Sequence, residues 1–389
     1  MCDASVSGFL SKRRFLKRCA LGAGGIMVGW PKLRALALPS SEGFPGAGGD
    51  DPWKWSKEAL YYVKTAGGVR CMKCPHFCQL SDGEAGKCRN RVNYRNTLYS
   101  IAYGNPCAVH IDPIEKKPFF HFLPSTRAFS IAVAGCNLRC LNCQNWQISQ
   151  VSPKETDNVT LMPADVVAQC KESRCESIAY TYSEPTTFYE YTSDTSRLAR
   201  EQGLRNLLKS SGYINEEPLR ALAKVLDAAN IDLKTFDDEV YQRLSQARVG
   251  PVLRTLKVLA GEGVWLEVTN LVVPGWTDDL DTIKKMCDWM CENGLRDVPL
   301  HFSRFVPLYK LAHLPLTPVS TLEKAREAAM RAGVRYVYIG NVPGHEAEST
   351  SCHACKKTII ERRGYTILSS SLKKGSCGYC GTKIPGIWN

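Results

Sequence analysis

Three observations make this chain an α/β protein, a partial or full (β/α) barrel with a Cys-rich segment before it and a small ribbon module after it. Between residues 128 and 341, short aliphatic runs alternate with stretches of helical period, the pattern of a parallel sheet with crossover helices. Polar and glycine residues collect at the carboxyl end of one run after another, where chemistry sits in such barrels. Two Cys-x2-Cys pairs close the chain.

The strand-like runs are 129–133, 177–181, 206–209, 231–233, 266–273, 300–302 and 336–339. Helical patterns lie between them at 163–172, 186–202, 216–226, 238–262, 280–293 and 320–332. Cys136 follows the first run, Glu184 the second within Tyr182-Ser183-Glu184-Pro185, and Ser210-Ser211-Gly212 the third. Asp232 and Lys234 end the fourth, Asn270 and Pro274-Gly275 the fifth, His301 the sixth and Gly340-Asn341 the seventh. Residues two apart on a strand share a face, so Asp232 and Lys234 enter the barrel mouth together while Leu233 turns to the helices. A scatter of polar residues has no preference for one strand end; this pattern predicts one active site lined from all sides.

The ends divide off by composition. Residues 1–38 run from the basic Ser11-Lys12-Arg13-Arg14-Phe15-Leu16-Lys17-Arg18 through an apolar stretch to Ala35-Leu36-Ala37, the order of a signal peptide. The basic part resembles the twin-arginine export signal, with Lys12 in place of the first arginine. The apolar stretch from Cys19 to Trp30 falls short of the roughly 20 residues that a bilayer requires, so no membrane span is expected. Export to the periplasm follows if this leader is used, and a cytoplasmic location otherwise. A linker and N-terminal segment occupy 39–69, the Cys-rich segment 70–127, the barrel 128–345 and the ribbon 346–389.

The net charge of +12 belongs to the ends. Residues 1–38 carry seven Lys/Arg against one acid, and 352–389 again seven against one, which leaves 36 of each sign in 39–351. The bulk of the chain therefore offers no polyanion groove, and only the basic ribbon argues for nucleic acid.

Cysteine spacing carries the chemistry. Cys352, Cys355, Cys377 and Cys380 form two knuckles separated by 21 residues, a tetrathiolate site of zinc-ribbon or rubredoxin type for zinc or iron. Upstream, Cys71, Cys74, Cys78 and Cys88 have spacings that suit zinc or an auxiliary iron–sulfur cluster. Cys136, Cys140 and Cys143 stand in Ala-Gly-Cys-Asn-Leu-Arg-Cys-Leu-Asn-Cys-Gln-Asn-Trp with no fourth cysteine beside them. A structural metal closes its shell with four ligands, whereas three thiolates on a [4Fe–4S] cube leave one iron open. Cys170, Cys175, Cys287 and Cys291 lie in or beside helices and read as small buried apolar residues, as does the isolated Cys107.

Three cysteines at x3 and x2 spacing after the first barrel strand resemble the radical S-adenosylmethionine superfamily. Asp112-Pro113-Ile114-Glu115-Lys116-Lys117-Pro118, His121-Phe122-Leu123-Pro124, Cys143-Gln144-Asn145-Trp146 and the closing Gly-Thr-Lys-Ile-Pro-Gly-Ile-Trp narrow the resemblance over roughly 70–389. They look like the radical enzymes of the AmmeMemoRadiSam system, which are similar to the pyruvate formate-lyase activating enzyme. The resemblance implies a barrel of radical SAM type and a [4Fe–4S] cluster on Cys136, Cys140 and Cys143. It also implies S-adenosylmethionine chelated to the open iron, and a 5′-deoxyadenosyl radical that abstracts hydrogen from a substrate. By the same resemblance Tyr182, Glu184, Ser211, Asp232, Lys234 and His301 bind the cofactor, with Lys234 against its carboxylate and Glu184 at its ammonium. Asn142 stands where relatives often carry an aromatic residue, and Trp146 is the candidate flat surface for adenine. The partners implied are a low-potential electron donor and a small-molecule or protein substrate. The competing functions are a glycyl-radical activase and a non-catalytic iron–sulfur electron carrier. The carrier has no use for Glu184, Asp232, Lys234 and His301 around a pocket.

Overall fold

The computed structural model describes residues 53–388; the expected leader lies outside them. Eight strands form the central sheet: β1 (Ala108–Pro113), β2 (Arg127–Ala132), β3 (Ser177–Tyr180), β4 (Arg205–Ser210), β5 (Ala228–Asp232), β6 (Trp265–Val272), β7 (Leu300–Arg304) and β8 (Val337–Gly340). Their spatial order is the chain order, β8 at one edge and β1 at the other. From β2 to β8 every neighbour is parallel, and among the described residues the two edge strands do not pair with each other. The barrel is therefore partial.

β1 has no counterpart among the seven runs expected from the sequence. It pairs antiparallel with β2, from Ala108 opposite Ala132 to Pro113 opposite Arg127. Pro113 fits there because an edge strand can spare the ladder donor that proline lacks.

Helices α1 (Pro163–Glu172), α2 (Tyr189–Glu201), α3 (Glu216–Ala223), α4 (Asp238–Ser245), α5 (Val249–Gly261), α6 (Leu280–Glu292) and α7 (Val319–Ala332) cover the outer face. The single helix expected over 238–262 is two, α4 and α5. Gln246 takes a left-handed φ of 53° that ends α4, and Pro251 then falls in the first turn of α5, the one helical place proline tolerates. Asp237 and Asp279 cap α4 and α6, accepting hydrogen bonds from Val240 N at 2.9 Å and Thr282 N at 2.8 Å.

The strand period of two then sorts the side chains. In β5, Ala229, Ile231 and, just beyond the strand, Leu233 join the core beneath the helices, as do Leu266 and Val268 of β6 and Leu300 and Phe302 of β7. Their neighbours Asn230, Asp232, Glu267, Thr269 and His301 must face the concave side. Phe119 and Phe122, from the connection between β1 and β2, pack with Ala128, Ala179, Leu207 and Ala228 at the amino ends of the strands. This plug leaves the concave side open toward the carboxyl ends.

Ahead of the sheet, Lys57–Glu58, Thr97–Ser100 and Arg91–Tyr94 form one small antiparallel sheet, and Tyr62–Thr65, Gly68–Cys71 and Gln79–Leu80 another. After it, Thr350–Ser351, Thr358–Arg363 and Thr366–Ser370 pair antiparallel, followed by the hairpin Leu372–Lys373 with Ser376–Cys377. This C-terminal segment shares a core with the barrel, in which Phe120, Tyr336 and Tyr338 pack on Cys352, Ile359, Cys377 and Ile384. Among the described residues no helix is long and apolar enough to cross a membrane.

Candidate active site

A cavity of about 500 Å³ opens at the carboxyl ends of the strands. Its wall takes Cys136, Cys140 and Cys143 after β2, Thr181 to Glu184 after β3, and Lys209 to Ser211 at the end of β4. Asp232 ends β5 and Lys234 lies just beyond it, Thr269 and Leu271 come from β6, His301 and Ser303 from β7, and Gly340 ends β8 with Asn341 just beyond. Tyr365, at a hairpin tip of the C-terminal segment, completes the rim. Cys136, Cys140, Cys143, Tyr182, Glu184, Ser211, Asp232, Lys234 and His301 thus all line one cavity, whereas Trp146 does not.

The three-cysteine loop is held from two sides. Arg139 N and Leu141 N donate to Ser245 O and Leu244 O at the end of α4, at 3.0 and 2.9 Å. Gly135 has a φ of 103°, and a Cβ there would fall 1.6 Å from Asn90 Oδ1, so no other residue fits. Burial, aided by the nearby Glu184 charge, pushes the Cys136 thiol well up, and burial raises Cys143 to about 11. Left alone, these two stay neutral thiols; bound iron supplies the positive charge that makes thiolates stable. Asn142 is 4% exposed, and its buried Oδ1 has no hydrogen-bond partner. Three thiols and an unanswered polar atom facing a cavity fit an iron–sulfur cluster with a ligand beside it.

Across the cavity the charged groups are tightly arranged. Glu184 Oε1 accepts from Ser210 Oγ at 2.7 Å and Thr186 N at 3.0 Å, while Oε2 accepts from Ser211 N at 2.8 Å and Ser211 Oγ at 2.6 Å. Ser211 therefore acts as a clamp on Glu184. Asp232 takes Lys234 Nζ at 2.7 Å and also pairs with Lys209, making a triad of charges where the sequence suggested a pair. Burial by itself would raise the Asp232 carboxyl, but the two ammonium groups outweigh it and hold it at about 2. Burial would lower Lys234, and Asp232 more than offsets it.

His301 is 2% exposed and its Nε2 lies 2.6 Å from Glu267 Oε2. Burial depresses its pKa in spite of Glu267, and against a carboxylate oxygen Nε2 is the nitrogen that donates. Glu267 also accepts from Phe120 N at 3.0 Å and His121 N at 2.9 Å, which ties the plug to the cavity floor.

A second buried network flanks the rim. Asp112 accepts from Lys116 at 2.8 Å and Lys117 at 2.5 Å, and Tyr182 bonds to both Asp112 and Lys117. Burial lowers Lys117 to about 8. The sequence patterns do not mark Lys209, Glu267, Asp112 and Lys117 as site residues. The visible signal for Lys209 is its place two positions before Ser211 on one strand face.

Other sequence candidates fall elsewhere. Trp146 stacks on Tyr309, with ring centroids 5.3 Å apart and planes at 14°, and does not line the cavity. His121 is fully buried between Pro385 O and Tyr338 Oη, a packing role. Cys170, Cys175 and Cys287 are buried core residues.

The two outer cysteine quartets differ. In the C-terminal one, the Cys352 and Cys380 sulfurs are 3.7 Å apart and so are those of Cys355 and Cys377, and all four lie within 4.8 Å of one another. Four sulfurs about 2.3 Å from one tetrahedral ion sit about 3.8 Å apart, so this quartet suits a single metal. Cys71, Cys74, Cys78 and Cys88 converge beside the N-terminal sheets without reaching that closeness, for among the described residues only the C-terminal quartet does so.

A family model described as the radical SAM superfamily matches residues 130–290. An uncharacterized protein of Methanocaldococcus jannaschii is 46% identical over 331 residues, covering 84% of this chain and 98% of the relative. Pyruvate formate-lyase 1-activating enzyme of Escherichia coli is 26% identical over 164 residues, 41% of this chain and 67% of that one. A crystal structure of a domain of pyruvate-formate lyase-activating enzyme from Bacteroides vulgatus has 14% identity and a TM-score of 0.36, covering 42% of this chain and 99% of that one.

Proposed function

The chain belongs to the radical SAM superfamily, and from that premise we propose that it is an enzyme abstracting hydrogen from a substrate admitted at the carboxyl ends of its strands. Cys136, Cys140 and Cys143 would hold a [4Fe–4S] cluster, with S-adenosylmethionine beside it. Together these would supply hydrogen-abstraction chemistry started by a low-potential electron. Lys234 would neutralise the cofactor carboxylate and Glu184 would receive its ammonium, while Ser211 keeps the Glu184 carboxylate oriented. His301, fixed by Glu267, serves the ribose or adenine side. The plug of Phe119 and Phe122 keeps water from entering through the amino ends.

The observation that carries this reading is the convergence of three cysteines, a clamped carboxylate and the Asp232 charge triad on one cavity. The test is anaerobic product analysis with dithionite and S-adenosylmethionine, which should yield 5′-deoxyadenosine; a fully clustered protein that makes none overturns it. A low-potential electron donor is the partner this chemistry requires. The single-metal geometry at Cys352, Cys355, Cys377 and Cys380 favours zinc, with iron in the same cage as the competitor.

A second reading, a glycyl-radical activase, is favoured by the similarity to pyruvate formate-lyase activating enzymes. Radical transfer to a glycine-loop partner protein, seen as a glycyl signal in that partner, separates it from small-molecule chemistry.

A further inference from the structure

We propose that Cys71, Cys74, Cys78 and Cys88 bind a second iron–sulfur cluster of four-iron type, rather than zinc. This deepens the reading of the chain as an iron–sulfur enzyme, and rests on it only for the expected metal.

The molecule contains its own standard for a single-ion site. At the C-terminal quartet the paired sulfurs are 3.7 Å apart and all four lie within 4.8 Å. No three sulfurs of the N-terminal quartet meet that limit, and neither do those of Cys136, Cys140 and Cys143. A cubane holds its thiolates on separate irons, farther apart than the ligands of one ion. In falling outside that limit the N-terminal quartet resembles the three-cysteine loop.

The four cysteines nonetheless face one place. They lie on two tight turns, with Phe77 N donating to Cys74 O at 3.1 Å and Arg89 N to Gly86 O at 2.8 Å. A Cβ on Gly86 would stand 3.8 Å from both the Cys78 and Cys88 sulfurs, so those two look onto the same point. Cys71 N donates to Cys78 O at 2.9 Å, which brings the first turn alongside. Cys71, Cys74 and Cys88 are buried, and among the described residues all cysteines are free.

The surroundings offer N–H groups to an anionic cluster. Arg91 is 1% exposed and ion-paired with the buried Glu190, and its Nη1 approaches Cys71 Sγ at 3.7 Å. Its buried Nε has no hydrogen-bond partner. An inward guanidinium with a spare N–H suits the sulfurs of a negatively charged cluster, which accept such bonds.

The module also docks on the active-site loops. His76 Nε2 lies 2.8 Å from Asn137 O, and Asn90 Nδ2 donates to Ala134 O at 2.8 Å. Gly135, next to Cys136, packs directly on Cys88 O. The second cluster would therefore sit beside the first, separated by little more than one stretch of backbone.

The experiment uses the full chain reconstituted anaerobically with ferrous iron and sulfide. In the Cys136→Ala/Cys140→Ala/Cys143→Ala chain, about four irons should remain, with a dithionite-reduced cluster signal that S-adenosylmethionine does not change. Cys74→Ser and Cys88→Ser should each remove that remaining signal in the same background, and an unchanged single metal at the C-terminal site controls for folding. Loss of all iron from the triple variant, or two zinc ions per chain with none of this iron, overturns the proposal. If the unaltered chain makes no 5′-deoxyadenosine while the triple variant keeps its iron, the enzyme reading fails and this one stands.

Discussion

Lys234 lies 2.7 Å from the carboxylate of Asp232, and both line the cavity that holds the three cysteines. Because Lys209 pairs with the same carboxylate, Asp232 keeps a partner when Lys234 is lost. Lys234→Met should therefore fold and keep its iron. It should bind S-adenosylmethionine about tenfold or more weakly, the loss of a charge-assisted contact of about 1.5–3 kcal/mol. The check is a titration of the cofactor-induced change in the reduced-cluster signal; unchanged affinity makes the Lys234–Asp232 contact purely structural.

Asp232 also predicts an acid-sensitive fold. Its pKa in the folded chain is about 2, below the ordinary 3.8, so the folded state favours the ionised form. The resulting stabilisation, about 2 kcal/mol, is fully present above pH 4 and is lost as pH falls through about 2. Asp232→Asn should be less stable than the unaltered chain at pH 6, and the gap should narrow toward pH 2.5. Urea unfolding of the two chains in the same metal state measures it; a gap that does not change with pH contradicts the assignment.

Removal of the C-terminal metal should loosen the end of the barrel as well as the ribbon. Cys352 and Cys377 pack with Phe120, Tyr336 and Tyr338, and Trp388 rests on the same cluster. Cys377→Ala should lose one metal per chain, leave the iron of the three-cysteine site in place, and shift the Trp388 emission toward the red. Retention of that metal in the variant would separate the quartet from it.

Residues 1–40, fused to a reporter active only after export in the folded state, should direct twin-arginine transport. Changing Lys12, Arg13 and Arg14 together to Gln should block it. Transport that persists in the altered fusion means that the basic stretch is not the signal.

Much of the fold was legible because parallel strands carry their own record. The strand ends at Cys136, Glu184, Asp232 and His301 mark one edge of the sheet, and the period of two explains why Leu233 is in the core while its neighbours line the cavity. β1 was hidden because an antiparallel edge strand before the first cysteine loop has no helix to announce it. The break between α4 and α5 turns on one left-handed residue, Gln246, a type that carries no strong local signal. Glu267 and Asp112 escaped because their partners are distant in sequence: His301, 34 residues on, and Tyr182, 70 residues on. Trp146 illustrates the reverse, for its expected place at the adenine gave way to Tyr309, a stacking partner that only the fold brings near.

Cys136, Cys140 and Cys143 would together serve a cofactor-cleaving cluster in this cavity. The measurement that decides it is 5′-deoxyadenosine formation by reconstituted chains given dithionite and S-adenosylmethionine under strict anaerobiosis. Product is expected from the unaltered chain and none from Cys136→Ala, Cys140→Ala or Cys143→Ala. Product formation that survives loss of these cysteines would contradict it.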